Sequence, residues 1–149
     1  MEYDCTLRTV APQFVAANRD RVALSEIGAR YGPSLDVVWQ FVRSAGLTTN
    51  HNVFLYDHGP PPLVQFCVQV GDRFDDAAEH VECVEIPGGT IATALHVGPY
   101  GALGDAHAAV QAWCNEQHHE MAGSSWEIYG DWDDDPSKLE TQVCYLLRA

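Results

Sequence analysis

Apolar positions recur along this chain with two different periods. Leu35, Val38, Trp39 and Val42 are spaced i, i+3, i+4, i+7, which gathers them on one stripe of a helix. Leu103, Ala106, Val110 and Trp113 form a comparable stripe in a second helix, "ALGDAHAAVQAWCNEQ". "NVFLY" and "LVQFCVQV" follow the first helix, "SWEIY" and "ETQVCYLL" follow the second, and all four alternate as strands do. Ahead of the helices, "CTLRTVAPQFVAANRDRV" and "CVEIPGGTIATALHVGPY" each read as a strand pair. Gly46 suits a helix stop and Pro99 a helix start. Gly32-Pro33 is expected to part a short turn near residues 25–31 from the main helix, "PSLDVVWQFVRSAGL".

The order strand, strand, helix, strand, strand therefore occurs twice, over approximately residues 1–71 and 79–149 of a single 149-residue domain. "GDRFDDAAEH", residues 71–80, is the polar crossover between the copies. Tyr56 falls opposite Tyr129, and Trp39 opposite Trp113.

Period-2 alternation sorts each strand into two faces. The more apolar faces, Trp126 and Ile128 among them, are expected beneath the helices. The reverse face then carries Phe54, Tyr56, Gln65, Cys67, Glu127, Tyr129, Gln142 and Cys144. Aromatics with a few polar groups line ligand pockets, but a half-wet sheet face with cross-strand aromatic pairs has the same composition. Trp39 and Trp113 sit in the helix stripes, where packing is the first expectation and contact with a ligand the second.

Composition narrows the function. The chain is 46% hydrophobic and 19% charged, as soluble globular domains are. A net charge of −13 with eight Lys and Arg repels phosphate backbones and favours cations, so direct nucleic-acid binding is not expected. No apolar run is long enough for a membrane span, and "MEYDCTLRTV" lacks the form of a signal peptide, so no membrane partner and a cytoplasmic location are expected. Five cysteines without a CxxC, and seven histidines without HExxH, predict buried thiols in a reducing compartment with no metal and no cofactor. "DWDDD" reads as a solvated hairpin loop, and His118–His119 as surface residues at a helix end.

Three segments taken together, "HVGPYGALGDAHAAVQAW" (residues 96–113), "SSWEIY" and a last strand "LETQVCYLL", resemble the GyrI-like, or AraC-type, effector-binding family over nearly the whole chain. The resemblance implies an α+β fold of tandem duplicated βαββ units. These have pseudo-twofold symmetry, antiparallel strands with helices packed on one side, and a ligand cleft between the halves. It implies binding of lipophilic, cationic aromatic compounds, with a buried glutamate carried onto Glu127. Relatives often place a second glutamate in the final strand, where this chain has Gln142, which puts any two-carboxylate mechanism in doubt.

The first functional expectation is accordingly a multidrug-binding or sensor-type module without a DNA-binding domain, its partner a lipophilic cationic small molecule. Glu127 supplies charge, Tyr129, Phe54 and Tyr56 supply aromatic surface, and Tyr100 caps the site from the Gly-Pro-Tyr turn. His96, beside that turn, is either a further contact or a satisfied hairpin histidine. Stand-alone members of the family also include hydrolases of strained electrophiles, so Glu127 is the catalytic candidate if the chain is an enzyme. A gyrase-modulating protein-interaction role is the third reading; the residues name no protein partner.

Overall fold

The computed structural model describes residues 3–75 and 78–149, so the extreme N-terminus and the crossover at 71–80 are described only in part. The two stripes of the sequence become α1 (Ile27–Ser44) and α2 (Leu103–Glu116). Around them stand β1 (Thr6–Val10), β2 (Gln13–Asn18), the short β3 (Val22–Ala23), β4 (Thr49–Asp57), β5 (Leu63–Val70), β6 (Val81–Ile86), β7 (Gly89–Val97), β8 (Met121–Tyr129) and β9 (Glu140–Leu147).

Pro33 does not break the first helix. A single 3-10 turn, Leu24–Glu26, leads straight into α1, and Pro33 lies inside it. A proline in a helix interior costs about 3 kcal/mol, because it cannot donate to the carbonyl four residues back. Burial of Leu35, Val38 and Val42 returns roughly 1.5–3 kcal/mol each, so packing overrides the local preference. Gly46 does end α1: at φ +67° its N–H reaches the Arg43 carbonyl at 3.2 Å, and Leu47 N–H reaches that of Val42 at 3.1 Å. His118 takes the same left-handed position after α2, at φ 60°, and His119 N–H closes onto the Cys114 carbonyl at 2.9 Å.

The chain divides into two compact units. In Pro12–Pro87, β5 lies antiparallel to β4, β2 and the short β3, and β2 also pairs β6. In the other unit β7 pairs β1 and β9, and β9 pairs β8, again antiparallel. Each unit thus contains a contiguous βαββ run, β2-α1-β4-β5 or β7-α2-β8-β9. Each is completed by the first strand of the other half of the sequence: β1 joins the later unit and β6 the earlier one. The strands β4 and β8, which follow the helices, both carry a register shift near their start.

In the later unit, α2 packs Leu103, Ala106, Val110 and Cys114 onto Ala92, Ala94, Val143, Tyr145 and Leu147. The stripe ends on Cys114, and Trp113 stands half-buried beside it, 5.6 Å from the His119 ring. In the earlier unit Trp39 is likewise half-buried, its indole N–H donating to Asn52 at 2.9 Å. Among the described residues, no helix is long and apolar enough to cross a membrane. All five cysteines are free, with Cys67, Cys114 and Cys144 buried. The Asp-rich loop after β8 is exposed, its Trp132 72% accessible.

Candidate functional site

The register of β8 on β9 decides where Glu127 points. Ser125 stands opposite Tyr145, Glu127 opposite Val143 and Tyr129 opposite Thr141, and directly opposed residues share a face. Val143 and Tyr145 belong to the core beneath α2, so Glu127 and Tyr129 face the helix. Trp126 and Ile128 share the reverse face with Cys144 and Gln142. This is the opposite of the face assignment expected from polarity. The reason is that both faces are buried: Trp126 is 1% exposed, Cys144 1%, Glu127 3% and Tyr145 3%. Alternation marks inside from outside only where one face meets water.

The same correction holds in the other unit. Phe54 stands opposite Phe66 and Tyr56 opposite Val64, so both lie on the face expected beneath the helix and not on its reverse. Phe54 packs edge-on to Phe66, with centroids 4.7 Å apart, and lies 6.4 Å from Tyr31 of α1.

Around Glu127 the later unit builds a connected polar chain. Tyr129 donates its hydroxyl to Glu127 Oε1 at 2.7 Å. His107 Nε2 lies 2.6 Å from Oε2, the geometry in which an ionised carboxylate accepts from Nε2–H. The other ring nitrogen, Nδ1, is 2.7 Å from the Tyr145 hydroxyl, which also accepts from Gln111 Nε2 at 3.2 Å. His107 and Gln111 are four residues apart and so project from one edge of α2. Burial pushes the Tyr145 phenol up to about 12, with the neighbouring Glu127 charge adding to the rise against hydrogen bonds from Ser125 and Gln111. Tyr100, in the turn that opens α2, packs edge-on against Tyr129 with ring centroids 5.2 Å apart. Its own phenol is raised by burial.

The remaining candidates have contacts of their own. His96 is fully buried, and both its nitrogens are engaged: one with the Tyr3 hydroxyl at 2.9 Å and one with the Pro99 carbonyl at 2.9 Å. It pins the hairpin into the Gly-Pro-Tyr turn. Gln142 is on the reverse face, donating to Thr93 Oγ1 at 3.1 Å, so Glu127 and Gln142 are separated by the sheet. An amide there therefore has no bearing on the countercharge at Glu127. Trp39, Phe54 and Tyr56 belong to the earlier unit.

His107, Gln111 and Tyr145 were not anticipated as site residues. The signal for two of them was present: His107 and Gln111 border the apolar stripe of α2 at i, i+4 spacing. One more polar group stands on this face. Thr141 is fully buried, opposite both Tyr129 and His96, and its hydroxyl has no hydrogen-bond partner among the described residues.

No family model and no curated protein matches the chain. Solved structures do. The EcmrR C-terminal domain superposes with a TM-score of 0.83 at 22% identity, covering 99% of both chains. In an EcmrR–DNA complex the likeness extends over 57% of the longer EcmrR chain. SAV2435 bound to tetraphenylphosphonium matches with a TM-score of 0.71 at 15% identity, over 100% of this chain and 95% of that one. A hydrolase from Listeria innocua matches with the same TM-score at 10% identity, over 97% and 92%. At these identities the likeness is one of fold, shared with the EcmrR C-terminal domain and SAV2435.

Proposed function

We propose that this chain is a binding module for lipophilic, cationic aromatic small molecules, with Glu127 as the countercharge and Tyr129 and Tyr100 as aromatic surface. The observation that carries the reading is a carboxylate only 3% exposed, beside a pair of edge-packed tyrosines. Neither α2, β8 nor β9 contains a lysine or arginine. A buried carboxylate is costly to keep charged, and an entering cation offsets that cost. A planar or phenyl-bearing cation adds about 0.5–2 kcal/mol for each good contact with a tyrosine face. SAV2435, of the same fold, holds such a cation. The chain's excess of acidic residues attracts cations from solution.

The direct test is calorimetric titration with tetraphenylphosphonium and with triphenylphosphine oxide, a neutral molecule of related shape. The cation binds at micromolar strength or better and the neutral compound more weakly. Equal affinity removes Glu127 from the account, and no binding of either rejects the reading.

One observation favours a second reading, hydrolysis of strained electrophiles. The Glu127–His107 contact of 2.6 Å is the geometry of a carboxylate orienting a general base. Loss of turnover on an epoxide or cyclopropane substrate in Glu127→Gln, without loss of substrate binding, supports it over the first.

A further inference from the structure

We propose that β1 is a self-complementary edge through which two copies of this chain pair, strand against antiparallel strand, about a twofold axis at Thr6. The inference is independent of the binding reading above.

The backbone gives this edge its capacity to pair. Among the described residues β1 pairs β7 on one side and ends the strand order on the other. In an antiparallel strand alternate residues turn their N–H and C=O groups away from the neighbour, so about half of these groups in β1 have no strand to meet. Side chains do not shield them: Thr6, Leu7, Arg8 and Thr9 are all exposed, and Leu7 is 44% accessible. The register continues back to Tyr3, whose hydroxyl lies 2.9 Å from Nδ1 of His96, the residue that the Thr6–Thr93 pairing sets opposite it.

The side chains select the partner. Opposed residues share a face, so a twofold register centres on a residue and never between two. Thr6 opposes Thr93, and Thr93 opposes Cys144, so Asp4, Thr6 and Arg8 lie on the face away from α2. Centred on Thr6, the pairing sets each Asp4 opposite Arg8 of the second copy. Toward α2 it sets Cys5 opposite the exposed Leu7, and at the axis Thr6 meets Thr6. Opposite charges, apolar pairs and threonine pairs are the combinations that stabilise opposed strands. A register centred on Leu7 faces Asp4 with Val10, and one centred on Arg8 brings two guanidinium groups together. Among the described residues neither Asp4 nor Arg8 is in an ion pair within the chain. The other end of the strand order, β6, does not fit a copy of itself. It carries Glu82 and Glu85 and no basic residue, and both carboxylates already pair, with Arg21 and Arg73.

The helices leave room for this contact. α2 rests on β7 and β9, so the two copies of α2 stand about four strand spacings apart, ~19 Å, against a helix diameter of ~10–12 Å. Glu127 is on β8, three strands in from the edge, so each copy keeps its own carboxylate site.

Sedimentation equilibrium of the full chain, from about 1 µM to about 500 µM in ~0.15 M salt, tests the pairing. One strand pair is a small interface, and the expected result is a monomer–dimer equilibrium in the micromolar range. Arg8→Asp and Asp4→Arg, at exposed positions where thermal melts check the fold, each bring like charges together and weaken the dimer about tenfold or more. The double variant Asp4→Arg/Arg8→Asp restores the opposite charges and returns to within about threefold of wild type. A dimer that ignores the single reversals, or a double variant as weak as either single one, overturns the proposal. So does a monomer throughout, which leaves the edge to some other chain. Growth beyond the dimer overturns it as well, because β1 on β6 of the next copy is a head-to-tail contact that does not close.

Discussion

Replacing Glu127 by Gln separates charge from shape. The side chain keeps its volume and loses its negative charge, at a position 3% exposed where two donors approach at 2.6 and 2.7 Å. The amide oxygen can retain the Tyr129 hydroxyl, which turns its NH2 toward His107 Nε2. The ring then accepts there and its own proton moves to Nδ1, which donates to Tyr145. The structural cost is therefore small, about 0–1 kcal/mol, or a few degrees in melting temperature. The ligand effect is larger. A buried charge-assisted contact is worth about 1.5–3 kcal/mol, so tetraphenylphosphonium should weaken by roughly 10- to 150-fold at mildly alkaline pH. Triphenylphosphine oxide, which has no charge to lose, should change by less than about 0.5 kcal/mol. Calorimetry on both ligands gives the comparison, and a thermal melt confirms the fold. A cation affinity within about 0.5 kcal/mol of wild type refutes the countercharge argument. An equal loss for both ligands refutes it as well, since that marks a change of shape.

Two further outcomes follow from buried groups. Thr141→Val removes a hydroxyl that is fully buried with no partner among the described residues, so the melting temperature should hold or rise; a loss above about 1 kcal/mol shows that the hydroxyl is bonded in solution. Stability should also fall in alkali. Burial raises Cys144 from 9.0 to about 11 and Tyr145 from 10.0 to about 12, so the unfolded chain loses these protons first. The stabilisation is intact below pH 9.0, declines from there and is lost as pH passes the folded values; each group accounts for on the order of 2–3 kcal/mol. Urea midpoints measured against pH test this, and Cys144→Ala with Tyr145→Phe should flatten the decline; an unchanged slope in the double variant excludes these groups as its cause.

Much of the local structure was legible along the chain because it depends on neighbours in sequence. The i, i+3, i+4, i+7 stripe of Leu35, Val38 and Val42 needs only helical geometry, and the Gly46 stop needs only a residue tolerant of positive φ. The repeated order of strand, strand, helix, strand, strand follows from such local signals, and it led to the right fold. Glu127 and Tyr129, two apart on one strand, are on one face whatever the tertiary fold does.

Long-range pairing decided the rest. That β1 closes the later sheet and β6 the earlier one could not be read from either strand, because both are short and nothing in their alternation names a partner. Pro33 appears as a helix breaker until the buried stripe beyond it is weighed. Polarity is a poor guide to the face of Glu127 because the strand meets solvent on neither face at this point: Trp126 and Glu127 are adjacent, on opposite sides, and both nearly inaccessible. Only the register of β8 on β9, and the packing of α2 above it, brought His107 from 20 residues away onto the Glu127 carboxylate and Tyr145 from the next strand onto His107. The chain by itself determined which chemical groups were available and which residues shared a strand face. Hydrogen-bond register and helix docking, which join residues far apart in sequence, decided which of those groups met.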